Sequence, residues 1–114
     1  MIKAIIFDLD NTLLDFVKMK RFAVRAAVTA MNEAGLGVDE KKAFDDIFDL
    51  YLNKGWEHQQ VLDDYLQQTT GKVSNKVLAA GIVSYRRARE ATLLVYPNVN
   101  KTLIELLKMG IKLA

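Results

Sequence analysis

The sequence begins with a short apolar run that leads into two closely spaced acids, Ile2-Lys3-Ala4-Ile5-Ile6-Phe7-Asp8-Leu9-Asp10-Asn11-Thr12. Residues 2–7 are apolar apart from Lys3 and are rich in β-branched side chains, which predicts a strand. A nearly continuous apolar run is typical of a parallel sheet that is covered on both faces. We therefore predict a buried parallel strand, followed by a polar turn over residues 8–12.

Most of the remaining chain is predicted to be helical. Apolar residues recur at helical spacing in four stretches, which glycines and capping residues separate from one another. The predicted helices cover residues 16–34, a stretch capped by Asp39, residues 57–69, and a stretch from Ser74 to residue 94. A fifth helix, capped by Asn98 or Asn100, follows the break at Tyr96-Pro97-Asn98, and residues 111–114 predict a second strand.

The composition excludes several classes of function. The 114 residues carry a formal net charge of +2, which is too small to indicate a nucleic-acid partner or a membrane surface. The chain has no cysteine, which excludes disulfides and thiolate chemistry, and the lone His58 excludes three histidine metal ligands. The first residues lack the pattern of a signal sequence, and no apolar run reaches the length of a membrane span. We expect a soluble, cytoplasmic protein.

The acids after the first strand are the candidate metal ligands. Ligands of α/β proteins bind beyond the carboxyl ends of parallel strands, which is where Asp8 and Asp10 are expected. Residues two apart in an extended segment point to the same side, so both carboxylates can face one ligand. Because two such carboxylates repel unless a cation lies between them, we predict that Asp8 and Asp10 bind Mg²⁺, which prefers oxygen ligands.

The same residues support a two-step phosphoryl transfer. Asp8 is the candidate nucleophile that forms an aspartyl-phosphate, and Asp10 is the candidate acid and base. Asn11 and Thr12 are the candidate substrate-binding residues. Thr12 is expected to brace the turn through its hydroxyl group, and Asn11 to add a hydrogen bond.

The stretch Ile6–Asp15 closely resembles motif I of the haloacid dehalogenase superfamily, a hydrophobic strand followed by DxDxT. The resemblance implies an α/β fold with a Rossmann-like core, in which Asp8 is nucleophile and Mg²⁺ ligand and Asp10 is acid/base and binds the metal through its carbonyl. It also implies an inserted helical cap of the C1 type. The implied divisions are residues 1–14 for the first core strand and motif loop, 15–94 for the helical cap, and 95–114 for re-entry into the core.

The resemblance is incomplete in ways that bear on activity. The family's second motif, its conserved lysine and its later metal-binding acids have no counterpart in these residues. Two strands also make a poor sheet, so further strands are expected to be missing or to come from a second chain. We predict that residues 1–114 alone are catalytically inactive or nearly so.

The favoured function is hydrolysis of small phosphorylated metabolites. Asp10 favours phosphate esters over carbon–halogen bonds, because dehalogenation needs no acid at this position. A phosphomutase, a dehalogenase and a non-enzymatic helical interaction module remain alternatives. Lys18 and Arg21 are the best candidates for substrate contact outside the motif. Other side chains could reach a substrate but are expected to be structural or solvated, namely Trp56, His58, Arg86, Arg87 and Arg89, as well as the acidic group Asp45, Asp46 and Asp49.

Overall fold

The computed structural model describes residues 1–114, and the chain is mostly helical with one small parallel sheet. Its elements are, in order, β1 (Ala4–Ile5), α1 (Phe16–Glu33), α2 (Glu40–Lys54), α3 (Val61–Thr70), α4 (Asn75–Thr92), α5 (Val99–Lys108) and β2 (Lys112–Leu113). None of the helices is both long enough and apolar enough to cross a membrane. We call α1–α4 the bundle, and β1, α5 and β2 the body.

The bundle contains the hydrophobic core. Thirteen buried residues from all four helices form one cluster, in which Met31, Ile47 and Tyr65 are among the largest fully buried side chains. The stripes of apolar residues at helical spacing explain this arrangement, because each helix has one face to bury. The predicted helices are therefore present, and each buries its apolar face against the others.

The helix ends follow the capping residues in part. The Asp39 carboxylate accepts from the Lys42 backbone N–H at 2.9 Å, as the sequence predicts. Ser74 is at the predicted cap position but makes no capping hydrogen bond through its side chain. The third helix was predicted from residue 57, which is wrong by four residues. Gly55 ends α2 with a positive φ of 99°, and turns occupy the following residues.

The most extensive helix contact in the bundle is between α1 and α4, which run antiparallel. Gly81 of α4 lies against Met31 near the end of α1, and a Cβ atom on Gly81 would come within 2.9 Å of the Met31 side chain. At the other end, Lys20 of α1 contacts Tyr85 of α4. The missing side chain at Gly81 is what allows the two helices to pack this closely.

The body is small and its sheet is largely exposed. Strands β1 and β2 pair in parallel, with Ala4 opposite Lys112 and Ile5 opposite Leu113. The prediction of a buried first strand is wrong for these residues, since Ile2 is 68% exposed and Ile6 is 85% exposed. The physical reason is that α5 and β2 are the only elements in the body that could cover β1, and two strands shield little surface. Exposed apolar side chains also lie on and after α5, namely Ile104, Leu107 and Met109.

Two paired linkers join the body to the bundle. Leu14 forms an antiparallel bridge with Val95. The backbone N–H of Asp15 donates to the Leu94 carbonyl at 2.8 Å, and the Tyr96 N–H donates to the Leu13 carbonyl at 2.9 Å. We call this pairing the hinge. The chain is elongated, 59 × 24 × 21 Å, because the bundle and the body lie on opposite sides of the hinge.

We predict that Gly81→Leu lowers the free energy of unfolding by about 1–3 kcal/mol, because the added side chain overpacks the contact with Met31. Urea unfolding followed by circular dichroism measures the change. Ala79→Leu is the matched control, since Ala79 lies on the exposed face of the same helix and its substitution should change stability little. Equal effects of the two substitutions would contradict this account of the helix contact.

Candidate active site

The acidic segment forms a closed turn directly after the first strand. The Leu9 carbonyl accepts from the backbone N–H groups of Thr12, Leu13 and Leu14, at 3.4, 3.1 and 3.2 Å. Asn11 has a φ of 59°, in the left-handed region that asparagine tolerates better than most residues. The turn is local because the hydrogen bonds that close it join residues 9–14 and involve no neighbouring strand.

Asp8 lies at the carboxyl end of both strands, where the chemistry was predicted. The residue before it, Phe7, donates its backbone N–H to the Ala114 carbonyl at 2.8 Å, so Asp8 is the first residue beyond the strand pairing. The Thr12 hydroxyl donates to Asp8 Oδ2 at 3.3 Å, which is the bracing contact expected of Thr12. The carboxylates of Asp8 and Asp10 are both exposed, so a ligand can reach them from solvent.

The acidic turn offers the type of ligand that a hard divalent cation prefers, but it offers too few of them. Asp8 and Asp10 supply carboxylate oxygens, and neither forms an ion pair with a basic residue of the chain. Nowhere do three or more acidic or histidine side chains come together as a potential metal-binding group. Mg²⁺ takes octahedral oxygen coordination, so these two residues could provide only part of a site.

Asn11 links the turn to the segment that returns from the bundle. The Tyr96 hydroxyl donates to the Asn11 side-chain oxygen in a short hydrogen bond. This contact occupies the Asn11 oxygen and leaves its amide N–H groups available. Asn11 therefore connects the acidic turn to the hinge, a role that its position in the motif does not indicate.

A second feature is a cleft of about 670 Å³ in the bundle, which we call the hinge cleft. It lies between the first two turns of α1 and the last turns of α4, with Trp56 and His58 on a third side. Because α1 begins and α4 ends at the hinge, the cleft is at the end of the bundle nearest the acidic turn. Arg86 and Arg89 line it, whereas Arg87 does not.

Lys20 is the most unusual residue of the hinge cleft. Its side chain is buried, with 7% of the residue exposed, and Nζ donates to the Tyr85 hydroxyl at 2.5 Å. The ammonium group lies 4.1 Å from the centroid of the Tyr51 ring and 5.7 Å from that of Phe16, which are cation–π distances. Burial raises the pKa of the Tyr51 phenol well above its usual range, and Tyr85 raises it further, so Tyr51 remains neutral.

One feature of the sequence could have identified Lys20. The residue lies four positions after Phe16 and three before Ala23, which places a lysine on the apolar face of α1. The two candidates that sequence reasoning preferred, Lys18 and Arg21, are exposed and do not line the hinge cleft. The structure therefore places the side chains of Lys18 and Arg21 outside the hinge cleft.

The remaining candidates have structural partners. Trp56 packs against Phe48, Tyr51 and Phe16 with ring centroids 5.8–6.2 Å apart. The acidic residues of α2 lie on its solvated face, where Asp45 pairs with Lys41 and Asp46 pairs with Lys42. A cleft of about 700 Å³ beside α2 includes Asp46 and Asp49, and the Lys42 that lines it already has a carboxylate partner.

His58 belongs to a small charged cluster. Asp64 Oδ2 lies 2.6 Å from His58 Nε2 and 2.7 Å from Lys54 Nζ. The hydrogen bond from Lys54, and secondly the one with His58, hold the pKa of the Asp64 carboxyl below its ordinary value of 3.8. The histidine therefore has a carboxylate partner at the start of α3, which agrees with the structural role expected of it.

The sequence matches a known family over nearly the whole chain. The model of the haloacid dehalogenase-like hydrolases matches residues 2–114, and this chain belongs to that family. Three similar proteins are each named glyceraldehyde 3-phosphate phosphatase. The relative from Methanocaldococcus jannaschii is 38% identical over 99% of this chain, that from Methanopyrus kandleri 36% over 99%, and that from Pyrococcus abyssi 34% over 99%.

The chain spans about half the length of the curated relatives that it matches. The aligned regions cover 50%, 49% and 48% of the M. jannaschii, M. kandleri and P. abyssi proteins. The family membership predicted from Ile6–Asp15 is thereby confirmed, and the match extends well beyond that motif.

We predict that Asp64→Asn makes stability less dependent on pH in acid. The pKa of the Asp64 carboxyl is lower in the folded state than in the unfolded state, so its ionised form stabilises the fold at pH values above the unfolded pKa. This stabilisation is lost as the pH falls through the pKa of the folded state. The urea midpoint of the unchanged chain should therefore fall between about pH 5 and pH 3, and the fall should be shallower in the variant. Asp63→Asn, which removes a carboxylate without an ion pair, is the control. Identical pH profiles for the unchanged chain and Asp64→Asn would disprove the role of this cluster.

Proposed function

We propose that the chain forms part of a Mg²⁺-dependent phosphatase that acts on small phosphorylated metabolites through an aspartyl-phosphate. The observation that carries this proposal is the position of Asp8. Its carboxylate is exposed at the carboxyl end of two parallel strands, braced by Thr12, with a second carboxylate two residues further on. Membership of the haloacid dehalogenase-like hydrolases supports this assignment.

The proposed reaction has two displacements at phosphorus. In the first, a carboxylate oxygen of Asp8 forms a bond to phosphorus while the bond to the ester oxygen breaks, and Asp10 gives its proton to that leaving oxygen. In the second, Asp10 takes a proton from water as the water oxygen attacks phosphorus. The bond to Asp8 breaks, which releases inorganic phosphate and restores both side chains.

Asp8 and Asp10 are also the residues that we propose hold Mg²⁺, Asp10 through its backbone carbonyl. When bound, the ion would neutralise the phosphate oxygens and so favour approach of a negatively charged nucleophile. In this chain the Thr12 hydroxyl donates a hydrogen bond to the Asp8 carboxylate and so contributes to its orientation. Tyr96 holds the Asn11 side chain, which leaves the Asn11 amide as a donor for a phosphate oxygen.

We propose a three-carbon phosphate as the substrate. The name shared by the similar proteins, glyceraldehyde 3-phosphate phosphatase, supports this choice. The same names, together with the acid at Asp10, favour ester hydrolysis over the phosphomutase and dehalogenase alternatives. The cytoplasmic location expected from the sequence stays a prediction.

We further propose that the helical bundle, residues 15–94, is a cap inserted into a Rossmann-like core. The hinge supports this proposal, because both connections between bundle and body run side by side next to the acidic turn. The exposed apolar side chains of the body support a larger core around β1 and β2. We propose that the remaining core covers them, either as part of the same polypeptide or as a second chain.

We predict that residues 1–114 alone release phosphate from p-nitrophenyl phosphate at the background rate in the presence of Mg²⁺. The reason is that the two carboxylates provide only part of a metal site. A colorimetric phosphate assay on the purified chain measures the rate. Turnover in the range of ordinary enzymes, about 1–10³ s⁻¹, would contradict this prediction.

Asp8 can be tested in a chimera that joins residues 1–114 to the second half of the M. jannaschii relative. We expect this protein to hydrolyse glyceraldehyde 3-phosphate, and Asp8→Asn to lower turnover by about 10³-fold or more, because the nucleophile is lost. Asp63→Asn in the bundle is the matched control and should retain activity.

Two results would refute the proposal. One is a folded chimera that has no turnover with Asp8 intact, which would favour a helical interaction module. The other is a chimera in which Asp8→Asn is as active as the unchanged protein.

A further inference from the structure

We propose that the hinge cleft is a binding site for a small monocarboxylate with an apolar body, whose carboxylate contacts the Lys20 ammonium. None of residues 8–12 lines the cleft, so this ligand is separate from the phosphate ester that Asp8 is proposed to attack. The inference goes beyond the proposed function and does not rest on it.

The first observation is a buried positive charge without a negative partner. Lys20 lines the cleft with 7% of the residue exposed, and none of the ion pairs in the chain includes it. Burying a charged group without a counter-charge is costly, so buried lysines are normally paired. Tyr51 does not supply the missing charge, because burial keeps the pKa of its phenol well above the usual range.

The second observation is that the Lys20 ammonium has unused donors. A lysine ammonium carries three N–H donors, and the Tyr85 hydroxyl is the oxygen that Lys20 Nζ reaches in the structure. The Tyr51 and Tyr85 rings, with centroids 4.1 and 5.1 Å from Nζ, favour a cation electrostatically. These contacts hold the ammonium group in place and leave N–H groups for a carboxylate oxygen.

The third observation is the charge balance of the lining, which favours one negative charge. Four other formally charged side chains line the cleft, all of them exposed, namely Arg86, Arg89, Glu57 and Glu90. Their charges cancel, and the His58 ring is already bonded to Asp64. Lys20 therefore leaves a single positive charge to be balanced. A monocarboxylate balances it, whereas a phosphate monoester carries about −1.5 to −2 at pH 7.

The fourth observation is the apolar character of the rest of the cleft. Eight of the fifteen lining residues are hydrophobic, and the Phe16 ring lies 5.7 Å from Lys20 Nζ. A ligand whose carboxylate reaches Nζ therefore places its other atoms against apolar and aromatic side chains, where burial of apolar surface favours binding. The volume of about 670 Å³ lies in the range of small-molecule sites, roughly 300–1,000 Å³.

The fluorescence of Trp56 gives a direct measurement of binding. Trp56 is the one tryptophan of the chain and lines the hinge cleft, where it stacks on Tyr51 with ring centroids 5.8 Å apart. The 114-residue chain is titrated with hydrocinnamate, with hydrocinnamyl alcohol and with propionate. We expect hydrocinnamate to bind. The other two should bind about tenfold or more weakly, because the alcohol lacks the charge and propionate lacks the ring.

Lys20→Met identifies the group that recognises the charge. It should weaken hydrocinnamate binding by about tenfold or more and leave the affinity for the alcohol unchanged, because a charged donor is lost while the apolar walls remain. A purely structural role of Lys20 would change both affinities together. Lys76→Met is the matched control, since Lys76 is exposed in the first turn of α4 and does not line the cleft.

Two results would overturn the inference. One is equal affinity of the unchanged chain for hydrocinnamate and its alcohol, a comparison that decides even if Lys20→Met fails to fold. The other is hydrocinnamate binding that Lys20→Met leaves unchanged.

Asp8→Asn separates this inference from the proposed function. The substitution should leave hydrocinnamate binding to the chain unchanged, because Asp8 does not line the cleft. Loss of binding in Asp8→Asn would place the ligand at the acidic turn and would also overturn the inference. Turnover of the chimera does not enter this test, so the role of Asp8 in the proposed reaction stands or falls on its own experiment.

Discussion

The packing of α1 against α4 sets the positions of the two linkers at the hinge and of the residues that line the hinge cleft. Gly81 contributes to it, because a Cβ atom there would come within 2.9 Å of the Met31 side chain. Since α1 follows the acidic turn and α4 precedes the return segment, antiparallel packing brings the two linkers together so that Leu14 can pair with Val95. The same packing places Lys20 against Tyr85 and so forms the hinge cleft. A contact in the bundle interior therefore sets the geometry at the hinge.

The parts of the structure that local chemistry controls could be predicted from the sequence. Helical spacing of apolar residues indicated all five helices, and Asp39 caps α2 as its position before an amphipathic stretch suggested. Thr12 contacts Asp8 because both lie in one short turn, where few conformations satisfy the backbone. The motif at Ile6–Asp15 was sufficient to predict the family, because a strand followed by DxDxT combines a local structure with its chemistry.

The parts that depend on distant residues could not be predicted. The exposure of β1 follows from how few strands accompany it, which no property of residues 2–7 reveals. Lys20 is a lysine on an apolar face, and its importance becomes visible only when Tyr51 and Tyr85, from two other helices, surround its ammonium group. The bond between Asn11 and Tyr96 joins residues far apart in the chain, so neither residue suggests the other. Sequence reasoning preferred Lys18 and Arg21 because they are charged and near the motif, although both point into solvent.

The pairing of Leu14 with Val95 has a consequence for how such a molecule can diversify. The chain leaves the body and returns to it at adjacent points. The roughly eighty residues between Leu14 and Val95 are therefore one continuous insertion with neighbouring ends. A different insert with neighbouring ends could be grafted between residues 14 and 95 without rerouting the backbone of the body. The acidic turn would then keep the hydrogen bonds that close it, because they lie among residues 8–14.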